Sequence, residues 1–387
     1  MNKLPRKLKT KLEKRQNENA FRQLGKSNHL IDFSSNDYLG FSKSETIFKN
    51  TQELLEAHNS KQNGATGSRL LSGNHKLYQI VEQQISTFHN SETALVFNSG
   101  YDANLGFFSC VPQRNDIILY DEYCHASIRD GITMSKSKSF KFKHNDLEDL
   151  ESHLKRVRIV SEPYQDIYIV TESVFSMDGD SPDLTTISQI TKKHKANLII
   201  DEAHAIGIFG KHGNGLINEL NLEHFVFARI ITFGKAIGAH GAAILCSQDL
   251  KDFLINFSRP LIYTTALPPH SLATIKASFD ELEIQKTIEA SQIKILHSNI
   301  IIFQSELERL NLQELFIESY SAIHCCIISG NENAKRIAQE LQNHGFDVKA
   351  ILSPTVPKGK ERLRLCLHSY NSSAEITKIL ELLATFV

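Results

Sequence analysis

The chain has 387 residues, with 43 Lys and Arg against 44 Asp and Glu and a formal net charge of −1 at pH 7. That length exceeds one ordinary domain and suits one large and one small domain, and the charge balance gives no overall attraction to nucleic acid or anionic membranes. The six cysteines, Cys110, Cys124, Cys246, Cys325, Cys326 and Cys366, lie mostly in apolar runs without C-x-x-C spacing. They read as buried thiols of a reducing, cytoplasmic compartment rather than a disulfide framework or zinc site, and no run of about 18 apolar residues reads as a membrane span.

The basic N-terminus, MNKLPRKLKTKLEKRQNENAFRQL, lacks the apolar core of a signal peptide, and its Lys-rich character with Glu13 differs from a mitochondrial targeting helix. It reads as an amphipathic helix with Leu4, Leu8 and Leu12 on one side; its lysines could also attract a phosphorylated substrate. IDFSSNDYLGF follows as a short strand ending at Asn36-Asp37, which closes a first part over residues 1–45. Across residues 46–265, strand-like runs alternate with helical patterns. The strands are Ala94–Phe97, Ile117–Tyr120, Ile167–Thr171, Leu198–Asp201, Ile230–Phe233 and Ala242–Cys246; the helices include His75–Phe88 and Leu184–His194. Such alternation predicts an α/β fold around a mostly parallel, doubly wound sheet. Pro268-Pro269 then breaks the chain before a long helical stretch reaching about Leu310. Residues 266–387 form a smaller C-terminal α/β domain, with strands Ile323–Ser329, Asp347–Ile351 and Arg362–Leu367 and helices Asn331–His344 and Ala374–Phe386.

Chemistry gathers where apolar runs stop. Leu198-Ile199-Ile200 ends at Asp201, with His204 three residues on, and the next run ends at Lys235 among Gly234, Ala236, Ile237 and Gly238. Function in parallel sheets collects at the strands' carboxyl ends. A lysine, a carboxylate and an imidazole there suit pyridoxal 5'-phosphate (PLP): the lysine would hold the aldehyde as a Schiff base, and the carboxylate would keep the pyridine nitrogen protonated. An ordinary lysine is solvated and needs no such surroundings, whereas an amine acting as nucleophile gains from desolvation. Thr232 is placed to reach a phosphate. Ala94–Phe97 runs into Asn98-Ser99-Gly100-Tyr101 and a helical pattern, which is either a plain βα turn or a phosphate site at a helix N-terminus. The glycine-rich NGATGSRLLSGNH, residues 63–75, is a weak signal alone.

His125, in DEYCHASIRDG, could lie on a pyridine ring or supply a proton; an isolated histidine is more often structural. In ESVFSMDGDSPDL, Asp178-Gly179-Asp180 reads as a turn, no glutamate stands at EF-hand spacing, and Ser176 is within reach of a cofactor. Arg362 and Arg364 alternate with leucines in ERLRLCL, which puts both on one face of a strand. The plain reading is an edge strand with a solvated face; the functional one is a guanidinium fork for a carboxylate.

The segments FSSNDYLG, TESVFSMDGDSPDL, TFGKAIGAHGAAILCS, LIYTTALPP and PTVPKGKERLRL, in this order across nearly the whole chain, resemble the α-oxoamine synthases, fold-type I PLP-dependent transferases. The resemblance implies that Lys235 carries the cofactor, that Asp201 partners its pyridine nitrogen and that His125 stacks on its ring. It implies that His204 and Ser176 contact the phenolic oxygen, and that Gly100, Tyr101 and Thr232 bind the phosphate. Arg364, with Asn36, would hold the amino-acid carboxylate, while Thr264 and Thr265 would reach the cofactor of a second subunit in an obligate homodimer. The implied reaction is decarboxylative condensation of an amino acid with an acyl thioester. The family member that these segments look most like joins L-alanine to pimeloyl-CoA or pimeloyl-acyl-carrier protein. Other members that condense glycine or serine with different acyl-CoAs share the cofactor residues, and non-catalytic partner subunits of the family lack the lysine that is present here. Two positions depart from relatives: Leu352-Ser353 stand where an arginine and a proline can occur, and Asn74 where threonine is usual.

Overall fold

The β-branched and aliphatic runs of the chain pair into one large and one small sheet in a computed structural model that describes residues 4–25, 29–160 and 165–387. Met1–Lys3 of the basic N-terminal stretch lie outside the described residues. The strands are β1 Ile31–Asp32, β2 Thr93–Phe97, β3 Ile117–Asp121, β4 Lys138–Phe142, β5 Ile167–Glu172, β6 Asn197–Asp201, β7 Ala228–Thr232, β8 Ala242–Cys246, β9 Ile323–Ile327, β10 Phe346–Asp347, β11 Lys349–Ile351 and β12 Arg362–Cys366. The chain divides into two compact units. The larger comprises Asn36–Ser176 and Ser181–Leu296; the smaller comprises Met1–Ser35, Met177–Asp180 and His297–Val387.

In the larger unit seven strands run in the order β2-β8-β7-β6-β5-β3-β4. All neighbours pair in parallel except β8, which is antiparallel to both β2 and β7. This is the mostly parallel α/β sheet expected from the alternating pattern. Its centre is apolar because helices cover it: β5, β6 and β8 are buried almost throughout, and Phe107, Phe108, Ile118, Val170, Ile199, Ile230 and Ile244 belong to one continuous core. Two features differ from the pattern reading. Strand β4, KSFKF, is an edge strand with four exposed residues, so it has no apolar run to mark it; lysines on such an edge discourage pairing with other chains. The helical stretch after Pro268-Pro269 is two helices, Pro269–Gln285 and Gln292–Arg309, not one.

In the smaller unit β12 is the centre of a three-stranded antiparallel sheet, flanked by β11 and β9. The edge-strand reading of ERLRLCL is therefore corrected: Arg362 and Arg364 are both buried. Arg362 Nη1 pairs with Asp178 Oδ1 at 2.5 Å and donates to the Met177 carbonyl at 2.9 Å. Arg364 Nη1 donates to Cys366 Sγ at 2.9 Å. The strand expected to run to Asn36-Asp37 is only two residues long, paired in parallel with β10. It stops because Asp32 Oδ1 turns back to accept the N–H groups of Ser34 and Ser35, at 2.8 and 2.9 Å, an Asx turn in place of a ladder. The N-terminal segment forms the helix Arg6–Asn17, with Leu8 and Leu12 exposed. No helix among the described residues is long and apolar enough to cross a membrane.

Candidate active site

The carboxyl edge of the large sheet ends in polar side chains: Asp121 on β3, Glu172 on β5, Asp201 on β6 and Thr232 on β7. Beyond β7 the chain makes a tight loop closed by backbone bonds from Phe233 N–H to Gly241 O (2.9 Å), Ala239 N–H to Phe233 O (2.8 Å) and Gly238 N–H to Lys235 O (2.8 Å). Gly238 has φ of +65°, and a Cβ there would lie 2.3 Å from Ser42 N, so only glycine lets this loop settle on the segment behind it. Lys235 is thereby fixed, half-buried, with Nζ 2.6 Å from His204 Nε2.

The imidazole of His204 is itself held. Its Nδ1 lies 2.7 Å from the hydroxyl of Tyr38, a fully buried tyrosine whose proton goes to Asn36 Oδ1 at 3.1 Å. A phenol has one proton. With it directed to Asn36, His204 donates from Nδ1 to Tyr38 and presents Nε2 as the acceptor for Lys235. Asn36, Tyr38, His204 and Lys235 form one connected chain.

The neighbouring acids Asp201 and Glu202 have opposite fates. Glu202 is completely buried, pairs with Arg229 at 2.5 Å and accepts the N–H of Ile217 at 3.0 Å, so it stabilises the fold. Asp201 is 5% exposed and has amide partners: Ala203 N–H to Oδ1 at 2.9 Å and Asn104 Nδ2–H to Oδ2 at 2.8 Å. No lysine or arginine pairs with it among the described residues. A buried carboxylate without a cation is costly, and a cationic ring would remove that cost.

His125 sits after β3, with its backbone N–H donated to Glu172 Oε1 at 2.6 Å. Desolvation lowers its pKa below the ordinary value and Lys235 adds to this, while Asp201 opposes it. Burial first and Asp201 second raise Glu172 well above the usual carboxylate range. Desolvation also holds the thiol of Cys124, next to His125, well above its usual range.

Gly100 and Tyr101 open the helix Gly100–Cys110, whose N-terminus is capped by Ser99. A Cβ on Gly100 would sit 3.6 Å from Thr232 Oγ1, so the bare glycine leaves an open cradle between a helix N-terminus and a hydroxyl. Tyr101 is exposed and its hydroxyl donates to Asp130. Ser176 and Thr264 are half-buried and Thr265 is exposed. The Thr265 carbonyl accepts from Asn98 Nδ2 at 2.6 Å, and Ala266 N–H donates to Gly67 O at 3.0 Å, which ties this segment to the glycine-rich loop. Arg364 lies in the smaller unit, buried on β12 as described.

The structure thus joins Lys235, His204 and Asn36 in one chain of bonds and Asp201 and His125, through Asn104 and Ser127, in another, and sets Thr232 beside Gly100. Four residues of these networks escape a reading of the sequence: Tyr38, Asn104, Ser127 and Glu172. Tyr38 lies inside FSSNDYLG, where a tyrosine before Leu-Gly reads as core. Asn104 is a single polar residue in a helical pattern, and Glu172 is simply the last residue of an apolar strand.

A family model for class I and II aminotransferases matches residues 28–383. An 8-amino-7-oxononanoate synthase of Emericella nidulans is 40% identical over 372 residues, covering 92% of this chain and 89% of the relative. Among solved structures, a serine palmitoyltransferase from S. paucimobilis with PLP–myriocin bound superposes with a TM-score of 0.86 at 27% identity, over 98% of this chain and 96% of that one. An 8-amino-7-oxononanoate synthase from Francisella tularensis superposes with a TM-score of 0.75 at 28% identity, over 93% and 98%.

Proposed function

Because the chain belongs to the class I and II aminotransferase family, as a PLP-dependent acyltransferase of the α-oxoamine synthase group, we propose that it is an 8-amino-7-oxononanoate synthase of biotin biosynthesis. It condenses L-alanine with pimeloyl-CoA or pimeloyl-acyl-carrier protein to give 8-amino-7-oxononanoate, CO2 and the free thiol. The observation that carries the reading is the pairing of an immobilised Lys235, 2.6 Å from His204, with a buried Asp201 that pairs with no cation among the described residues. The choice of substrates rests on likeness to the oxononanoate synthases over most of the chain. A second reading, a serine-condensing enzyme, draws on the TM-score of 0.86 with serine palmitoyltransferase.

The residues fit the cofactor. Lys235 would hold the aldehyde carbon, Asp201 the pyridine nitrogen and His125 the ring face. His204 and Ser176 would bond the phenolic oxygen, and Gly100, Tyr101 and Thr232 the phosphate. Bound PLP supplies an electron sink for the charge left on the α-carbon when a proton or a carboxylate departs. The protein does the rest. Lys235 takes the α-proton of L-alanine, with His204 Nε2 keeping its amine oriented between transfers. Asp201, which accepts from two amide donors, would stabilise the positive charge on the ring nitrogen. Arg364 and Asn36 would hold the alanine carboxylate, and the amide donors and hydroxyls at the sheet edge spare the site from rearranging as charge develops.

Thr264 and Thr265 would serve a second copy's cofactor in an obligate homodimer. This draws support from Leu70, Leu71 and Tyr263, which lie on the two segments joined at Gly67 and Ala266 and are exposed although apolar or aromatic. A cytoplasmic location accords with the six free cysteines.

Release of free thiol, with product mass as readout, tests the assignment on cofactor-loaded protein. Alanine, glycine and serine are crossed with pimeloyl-, acetyl-, succinyl- and palmitoyl-CoA, and pimeloyl-acyl-carrier protein is included as a donor. Turnover confined to alanine with a pimeloyl donor is expected; preference for serine with palmitoyl-CoA would replace the assignment by the second reading.

A further inference from the structure

His125 occupies an uncommon position for a histidine. It is the N-cap of the helix Ala126–Met134, and its Nδ1 accepts the backbone N–H of Ser127 at 3.2 Å. A ring nitrogen that accepts an N–H bears no proton of its own. The hydroxyl of Ser127, 2.8 Å from the same Nδ1, must therefore donate to it as well. That hydroxyl in turn accepts from Asn104 Nδ2 at 3.1 Å, and the second N–H of Asn104 goes to Asp201 Oδ2 at 2.8 Å. The amide has one orientation open to it, since a flip would set its oxygen against a buried carboxylate. Asn104 keeps that orientation although its own Oδ1 is buried without a partner among the described residues. Ser127 and Asn104 are both buried.

We propose that Asn104 and Ser127 are positioning residues that hold His125 as a neutral imidazole with its proton on Nε2, and that they tie its orientation to that of Asp201. Every donor along the chain points one way, from Asn104 to Ser127 to Nδ1, so the ring offers Nε2–H to the site. Protonating Nδ1 would break two hydrogen bonds, remove the cap and set a positive charge at the positive end of a helix. The titratable and charged groups facing His125 are Glu172 from β5, Asp201 from β6, Lys235 from the loop after β7, and Arg129 and Asp130 on the helix that it caps. Glu172 is bonded to the backbone N–H of His125 and leaves Nδ1 to the serine. The inference rests on the PLP reading of the site, because it is as the ring-stacking group that His125 matters.

The test is the pH profile of kcat/KM for Ser127→Ala and Ser127→Thr, with the absorbance of bound cofactor titrated in parallel. A donor bonded to the neutral form favours that form, so its loss raises the pKa. Ser127→Ala is expected to move the acid limb up by about one pH unit, and Ser127→Thr, which keeps the hydroxyl, to restore the original limb. Asn104→Ala, which removes the donor to Ser127, is expected to move the limb in the same direction and serves if Ser127→Ala does not fold. Nitrogen-15 spectra of labelled histidine, with the His125 signals identified by their loss in His125→Asn, should show the Nε2–H tautomer. An Nδ1–H pattern, or activity reduced by one factor at every pH with the limb unmoved, would overturn the proposal. Wild-type protein that shows no cofactor band at all would instead overturn the PLP reading beneath it.

Discussion

Each unit of the molecule buries charge, and the two do so differently. In the smaller unit Arg362 lies on the central strand and meets Asp178 at 2.5 Å, so cation and anion neutralise each other inside the protein. In the larger unit Asp201, at the end of β6, is just as enclosed, but its carboxylate partners among the described residues are amide N–H groups. A buried pair that is complete belongs to the fold; a buried anion left with neutral donors is reserved for something that arrives later. Glu202 sharpens the contrast from one residue away. With Arg229 against it and Ile217 N–H on its other oxygen, it is a second completed pair, and chemistry falls to its neighbour.

Five substitutions, the last read by titration, put the contrast to the test. The largest effect is expected at Lys235. Lys235→Ala should leave the fold intact and lower kcat by more than about 1,000-fold, a barrier increase above about 4 kcal/mol, with loss of the cofactor absorbance band. Next comes the completed pair: Arg362→Met takes the cation away from buried Asp178 and should cost about 3–5 kcal/mol of stability by denaturant unfolding. By contrast, Asp201→Asn should change stability far less than it changes turnover; equal losses in both would make Asp201 as structural as Asp178. Tyr38→Phe removes the phenol that receives His204 Nδ1–H and should lower kcat about tenfold, the worth of one hydrogen bond, with little change in melting temperature.

The smallest effect is a pH dependence at Asp32. Burial opposes its ionisation, but hydrogen bonds from Ser35 and Ser34 prevail and bring its pKa down from 3.8 to about 2. A carboxylate depressed in the folded state stabilises the protein above its unfolded pKa, and that contribution is lost as pH falls from about 4 through about 2. Asp32→Asn should therefore flatten the acid limb of the stability profile over that range and leave neutral stability nearly unchanged relative to its own value at pH 4.

Much of this was legible in the residues. The apolar runs of β2, β3, β5, β6, β7 and β8 coincide with observed strands to within a residue or two, because strands covered on both faces must be continuously apolar. What escaped did so for physical reasons. Strand β4 is an edge whose lysines face solvent, so no hydrophobic period announces it. The burial of Arg362 depends on Asp178, far away in the chain, and alternation alone makes a solvated face look equally good. Tyr38, Asn104 and Ser127 carry no signal of their own. Their meaning lies in the direction of their hydrogen bonds, which appears only once His204, Asp201 and His125 are in place around them.

Every role proposed for the site depends on Lys235 carrying the cofactor. This is tested most directly by reducing the PLP-loaded protein with borohydride, which fixes the cofactor to the amine that holds it, and locating the added mass by peptide mass spectrometry. The modification is expected on the peptide containing Lys235, and is expected to be absent from that peptide in Lys235→Ala. Modification of a different lysine, or none in protein shown to contain the cofactor, would contradict it.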